Sequence, residues 1–313
     1  MDNSDEAYRG DNAAVIASFS DARFRYVSMT EVGLMFARHQ GVEAARGSLI
    51  SFIDDDSLIS ENWLRGVNLA FQNPSVGLVT GPNIPEYEQT PPSWLEGFWL
   101  TNAYGRYLGF LSLLDFGDAS RVIPAEFVWG CNYSIRREIF YQAKGSHPDY
   151  LPSPWKSYQG DGEVGLSIKA AALGYDTQYS PLCAIRHWIP AARLTENYFG
   201  ERAFFIGLHL SFTAYRREHG LGPMQGVALK RQHRRASLLN RLHSLSRRIQ
   251  SRWAQVHTDS QQTAPEAGNL KQFIQGRRQA GWHFHRQALK SNAALRSYVL
   301  RSDFMDENAG LPE

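Results

Sequence analysis

Residues 36–64 read FARHQGVEAARGSLISFIDDDSLISENWL, and the fold class turns on them. Residues 33–45 carry helical spacing, Arg46-Gly47-Ser48 stops the helix and turns the chain, and residues 49–53 have the length and apolarity of a buried strand. Three aspartates, Asp54, Asp55 and Asp56, follow at the carboxyl end of that strand. Ser60 is then placed to cap a helix whose apolar face is Leu64, Val67 and Phe71. Upstream, residues 13–18 read as helix and 24–27 as strand. The order α, β, α, β implies an α/β fold with a mixed, mainly parallel sheet covered by helices.

Working outward, Pro74 ends the helix, and residues 76–80 form a second buried strand closed by Gly81-Pro82. Residues 82–125, rich in proline and aromatics, read as a long irregular segment with one helix near 94–114. A short strand at 127–129 leads into Gly130-Cys131-Asn132 and a basic helix start at Arg136-Arg137. The run Gly160-Asp161-Gly162-Glu163 opens a helix with Leu166, Ala170 and Leu173 on one face and Gly174 at its end. Strands follow at 175–179 and 182–186, with His187 at the end of the latter.

Composition bounds the rest. The chain has 313 residues, 43% hydrophobic and 12% aromatic, with 33 Lys and Arg against 31 Asp and Glu, so it folds around a core. A net charge of +2 is too small for a dedicated nucleic-acid binder. Two cysteines, Cys131 and Cys183, make neither a disulfide framework nor a CxxC pair, which fits a reducing cytoplasm. The start, MDNSDE, lacks the basic and apolar regions of a signal peptide, and the apolar windows 108–114 and 204–212 are too short to span a membrane. A soluble or peripheral protein is expected.

The length allows an α/β domain over 1–215 with a helical C-terminal extension over 216–313. Between 220 and 258 there are eight Lys and Arg and no acid, with Leu238, Leu239, Leu242 and Leu245 at helical spacing. This basic amphipathic stretch, centred on 226–253, suits the surface of an anionic membrane, or its leucines pack on the domain while the arginines face water. Nucleic acid is disfavoured because no stacking aromatics interleave with the charges. Residues 259–268 read as a polar linker, and 270–300 as a last helix.

The aspartate run is the sharpest chemical signal. Adjacent carboxylates repel, and at the edge of a core they call for a cation; all-oxygen ligands suit Mg2+ or Mn2+, which also bridge to substrate phosphates. A solvated turn with capping acids is the alternative. Asp161 and Glu163 sit at a helix N-terminus, which favours the ionised carboxylate and suits a proton acceptor, although the same residues serve as cap and macrodipole partner. His187 reads as metal ligand or satisfied core histidine, and Arg193 as phosphate contact or surface ion pair.

The stretch quoted first resembles the centre of a family 2 glycosyltransferase of the GT-A fold, in its bacterial surface-polysaccharide type. The likeness runs in order over residues 1–215, through WGCNYSIRR (129–137), GDGEVGLSIKAAALGYDTQYSP (160–181) and HWIPAARLT (187–195). It implies that Asp54 and Asp56 bind the metal and the donor diphosphate, with Asp55 near the donor sugar and His187 beside the metal. In the late acid motif Glu163 takes the place of the family's catalytic Asp, and Gly162 stands where the family often has Glu; Asp161 remains the competing base. Asn132 and Trp129, with Gly130, shape the donor-sugar and acceptor pocket, and Arg38, Arg193 and Asp2 join the nucleotide site.

The partners so implied are a nucleotide-diphosphate sugar and a saccharide or lipid-linked acceptor, met at the inner face of the cytoplasmic membrane. Members begin with a strand and helix that the present start does not match, so about 25 to 30 further residues are expected upstream. Two other functions fit parts of the pattern. A glycoside hydrolase also uses paired carboxylates but needs no three consecutive acids. A non-catalytic sugar-nucleotide or partner-binding module is the other.

Overall fold

A computed structural model describes residues 1–4, 6–30, 33–221 and 265–305. It has the expected α/β class, with two mixed sheets covered by helices. Helix α1 (Glu6–Ala17) buries no side chain. Helix α2 (Leu34–Ala44) buries Met35, Arg38 and Val42. The first sheet has the order β1 (Leu49–Phe52), β9 (Tyr133–Arg136), β3 (Val76–Thr80), β10 (Asp176–Tyr179), β8 (Arg121–Val122). All five residues of β3 are buried, because a central strand covered on both faces admits no alternation. At the end of the sheet β1 buries only Ile50 and leaves Ser51 exposed, so the fully buried strand expected there is half-buried.

The sheets are less parallel than expected. Among the described residues only β3 with β10, and β4 (Asn83–Tyr87) with β11 (Ile185–Ile189), run parallel. Part of the cause is β9, antiparallel to both β1 and β3, and part lies in residues 82–125, which in place of one helix hold β4, then β5 (Leu100–Thr101), β6 (Arg106–Leu108), β7 (Leu113–Asp115) and, in the first sheet, β8. Short turns can join only antiparallel strands. One such turn is set by Asn102, whose Oδ1 accepts the N–H of Tyr104 at 2.8 Å. With β2 (Ser57–Ile59) and β11, strands β4 to β7 build the second sheet, ordered β2-β11-β4-β7-β6-β5, while β8 pairs with β10 in the first.

Helix α3 (Trp63–Phe71) buries Val67 and Phe71 as expected, with Trp63 in place of Leu64. Trp63 is buried because its indole N–H donates to Asn132 Oδ1 at 3.0 Å, while Leu64 is 70% exposed. Ser60 does not cap the helix; its hydroxyl donates to the Leu182 carbonyl. The strand expected at 24–27 is reduced to one bridge between Asp2 and Ser28. That expected at 127–129 is displaced to β9, after two 3-10 turns. Helix α4 (Arg137–Gln142) begins at the expected arginines, and α5 (Gly162–Ala172) at the expected glycine, though Leu173 is exposed.

Helix α6 (Glu196–Glu218) starts on a Thr195 cap and packs along α7 (Pro265–Ser291), which Asn292 separates from α8 (Ala293–Val299) by capping Leu295. The linker expected at 259–268 is thus helical from Pro265, a residue suited to a first helical position. An added Cβ at Gly207 would meet the Arg278 carbonyl, and one at Gly281 the Phe204 carbonyl, so glycine sets the closeness of α6 and α7. A shared apolar cluster of Met35, Leu151, Phe212, Leu289, Tyr298 and Phe304 ties α6, α7 and α8 to α2. Position 215 lies within α6. No described helix is long and apolar enough to cross a membrane. The basic stretch 226–253 lies outside the described residues.

Candidate active site

Three elements converge on Glu163. It occupies the first turn of α5, and its Oε2 accepts from Arg38 Nη1 of α2 at 2.8 Å. Its Oε1 accepts the Gly130 N–H, from the loop before β9, at 3.3 Å. Arg38 is only 5% exposed and lies over the Phe52 ring at 5.9 Å, which fixes where its guanidinium can reach. A side chain at Gly130 would collide with that guanidinium. Burial alone would raise Glu163, but the charge and hydrogen bond of Arg38 outweigh it and hold the carboxyl at about 2. At neutral pH Glu163 is an ionised, mostly enclosed proton acceptor.

Asp161, the competing base, is directed elsewhere. Its side chain makes no cap to α5. One oxygen forms a short hydrogen bond with His147 Nδ1, and the other accepts from Thr213 of α6 at 2.5 Å. Burial would raise Asp161, yet His147 and these hydrogen bonds bring it to about 2, while burial lowers His147 to about 4. Asp161 therefore accepts from a neutral His147 and pins α5 to α6 beneath the Phe212 and Phe304 rings. Asp161 occupies the N-cap position of α5, but both of its carboxyl oxygens are taken by His147 and Thr213.

The aspartate run forms the turn between β1 and β2. Asp55 is exposed and Asp54 half-buried. Burial pushes Asp54 upward, with Arg38 the largest opposing charge, and its carboxylate has no hydrogen-bond partner among the described residues. Pairing of Ser57 with His187 places Asp56 beside β11. Asp56 Oδ1 lies 3.3 Å from His187 Nε2, and Oδ2 2.9 Å from Arg193 Nη1. His187 is not at a strand end but in mid-strand, 4% exposed, with Nδ1 buried and unpartnered. It orients Asp56.

A divalent cation would find in Asp54 an acid with no protein counter-charge in contact. Among the described residues no cluster of three or more His, Cys, Asp or Glu could cage a metal. A set of one or two carboxylates fits Mg2+ or Mn2+ completed by substrate phosphates and water. Asp54 and Asp56 are the fitting residues.

Asn132 is a correction. Its Oδ1 accepts from Trp63 and its Nδ2 donates to Asn83 Oδ1 and the Cys183 carbonyl, at 3.0, 3.0 and 2.8 Å, so a 1% exposed side chain is consumed in joining α3 to both sheets. It lines no donor pocket. Trp129 stays partly open beside Tyr107 and Phe127. Asp2 is bound by Tyr26, Ser4 and Asn12, which hold it well below the carboxylate range. The cysteines are free and buried.

Sequence reading missed Asp149, His147 and Arg202. Asp149 Oδ2 stands 3.9 Å from Arg38 Nη1, and Arg202 donates to the Tyr150 hydroxyl at 2.5 Å. The one available signal was the run Ser146-His147-Pro148-Asp149-Tyr150, a polar cluster around a proline.

The family model Glycosyl transferase family 2 matches residues 2–142, a span that includes the aspartates, Arg38 and Gly130 and ends before Asp149, Glu163 and His187. The glucosyl-dolichyl phosphate glucuronosyltransferase of Haloferax volcanii is 24% identical over 116 residues, 36% of this chain and 34% of that protein. The match thus spans about a third of the length of that curated relative. A crystal structure of GalNAc-T7 with UDP, GalNAc and Mn2+ aligns with a TM-score of 0.42 and 13% identity, over 75% of this chain and 46% of the other.

Proposed function

We propose that the chain is an inverting, metal-dependent glycosyltransferase that moves a sugar from a nucleotide diphosphate to an acceptor hydroxyl. The observation that carries this reading is the Glu163 carboxylate, held ionised by Arg38 and the Gly130 N–H. Glu163 takes the acceptor O–H proton as the oxygen pair bonds to the anomeric carbon from the face opposite the leaving group. The bond to the diphosphate oxygen breaks, and its electron pair leaves with the diphosphate. Asp54 and Asp56 would hold Mg2+ or Mn2+, which would supply positive charge to the leaving diphosphate. His187 and Arg193 fix Asp56, and half-exposed Arg193 can turn to a phosphate. Trp129 offers an aromatic wall to the acceptor.

Residues 1–215 carry this chemistry in a GT-A arrangement, followed by a C-terminal extension over 216–313 whose described helices α7 and α8 pack on α6. The acceptor is a growing surface polysaccharide or a lipid-linked saccharide, and the basic stretch 226–253 holds the enzyme to the cytoplasmic face of an anionic membrane. Salt-sensitive co-sedimentation with phosphatidylserine liposomes, lost on deleting 226–253, tests that attachment.

The reaction is tested with a panel of nucleotide-diphosphate sugars and Mn2+, reading nucleotide release and product anomer by NMR. Inverted product formed only with metal is expected. Retained configuration, or release indifferent to EDTA, contradicts the mechanism. Nucleotide binding without turnover across donors and acceptors would favour the binding module.

A further inference from the structure

Residues 145–150 bring a second carboxyl group to Glu163. Asp149 is 6% exposed, and its Oδ1 accepts the Tyr150 N–H at 3.0 Å. Tyr150 adopts φ 48, and its hydroxyl is held by Arg202 of α6, so this loop is fastened from outside. Asp149 shares Arg38 Nη1 with Glu163, at 3.9 and 2.8 Å, which sets the two carboxyl groups side by side within hydrogen-bonding reach. Gly162 is what lets it in. With φ 52 and no side chain, Gly162 leaves a space in which an added Cβ would strike the carboxylate of Asp149. An acid from another loop thus fills the space beside Gly162.

We propose that Asp149 is the positioning residue of the base: its carboxyl group, admitted by Gly162, donates a hydrogen bond to Glu163 and holds that carboxylate against Arg38 and the Gly130 N–H. This deepens the transferase reading and rests on Glu163 as its base. With Asp54 nearby, two ionised acids here would set three negative charges against Arg38, the cation in contact, and the more distant Arg202, leaving negative charge uncompensated. Burial and then Glu163 push Asp149 well above the carboxylate range, so it keeps its proton and acts as donor.

The groups facing the pair agree with that assignment. Arg38 of α2 and Arg202 of α6 are the cations, and His209 of α6 is lowered to about 4 by burial and stays neutral. Tyr133 and Cys131 are pushed up by burial and carry no charge, as does Tyr150, pushed to about 12. No other donor of a transferable proton touches Glu163 among the described residues.

The test compares pH profiles of kcat/KM for the full chain, Asp149→Ala and Asp149→Asn, with 13C carboxyl NMR titrations. Alanine removes the donor, so the acid limb should move up by about one pH unit; asparagine, whose amide N–H still donates, should leave it within about 0.3 unit. Equal behaviour of Ala and Asn, or an unmoved limb in the Ala variant, overturns the proposal. The NMR arm needs no turnover. Glu163→Gln should lower the midpoint of the Asp149 resonance, and an unchanged midpoint overturns the pairing even where Asp149→Ala fails to fold. Wild-type turnover by Glu163→Gln would instead fault the transferase role of Glu163 and leave the NMR coupling intact.

Discussion

At Gly130 one methyl group separates an ordered base from a disordered one. Alanine there would push its Cβ into the Arg38 guanidinium, and the same residue's N–H is a donor to Glu163. We expect Gly130→Ala to keep the fold by circular dichroism and to lower kcat/KM by about a hundredfold, since small misplacements of a catalytic group cost that much. Little of this was legible in the sequence. Asp54, Asp56 and Glu163 stood out because acids at strand ends and helix starts are informative in one dimension. Asp149 did not, because it is 14 positions from Glu163 and meets it only through the space at Gly162. Asp161 and Glu163 could not be told apart by spacing, since the partners that separate them, Thr213 and Arg38, lie 52 and 125 residues away.

Among the elements, α6 and α7 are set by backbone contact rather than by large side chains. At Gly207, alanine gains about 1 kcal/mol of helix propensity over glycine. It must also fit a Cβ against the Arg278 carbonyl, where overpacking costs about 1–3 kcal/mol. Because the clash is with backbone the cost sits at the upper end of that range, so we expect Gly207→Ala to be net destabilising by about 2 kcal/mol, measured from the urea midpoint, with loss of the α6–α7 spacing as the cause. Helices α2, α3 and α5 and the strands at 49–52, 76–80 and 176–179 were readable from local periodicity, whereas α6 was not. The meander between 82 and 125 was not, because strands of two or three residues are shorter than any periodic window, and their aromatics mimic helical spacing.

Across the whole molecule, buried histidines link folding to pH. His285 is fully buried between α6 and α7, its Nδ1 2.7 Å from Ser211 Oγ and its Nε2 unpartnered, so burial lowers it to about 4. As pH falls from about 6.5 to about 4 the unfolded chain protonates at this residue and the folded chain does not, so its contribution to stability is lost across that window. Comparing ΔG of unfolding for the wild type and His285→Gln should show a difference in slope on the order of 1.4 kcal/mol per pH unit there, and none above pH 7. The assembly that gathers α2, the aspartate turn and α5 rests on one central claim, that Glu163 accepts the proton of the attacking hydroxyl. The most direct test is Glu163→Gln, measured for donor binding by calorimetry with Mn2+ and for turnover under the same conditions. Glutamine cannot take the proton but retains the shape, so the account predicts donor affinity within about twofold and turnover reduced by a factor of about a thousand or more; turnover at the wild-type rate would contradict it.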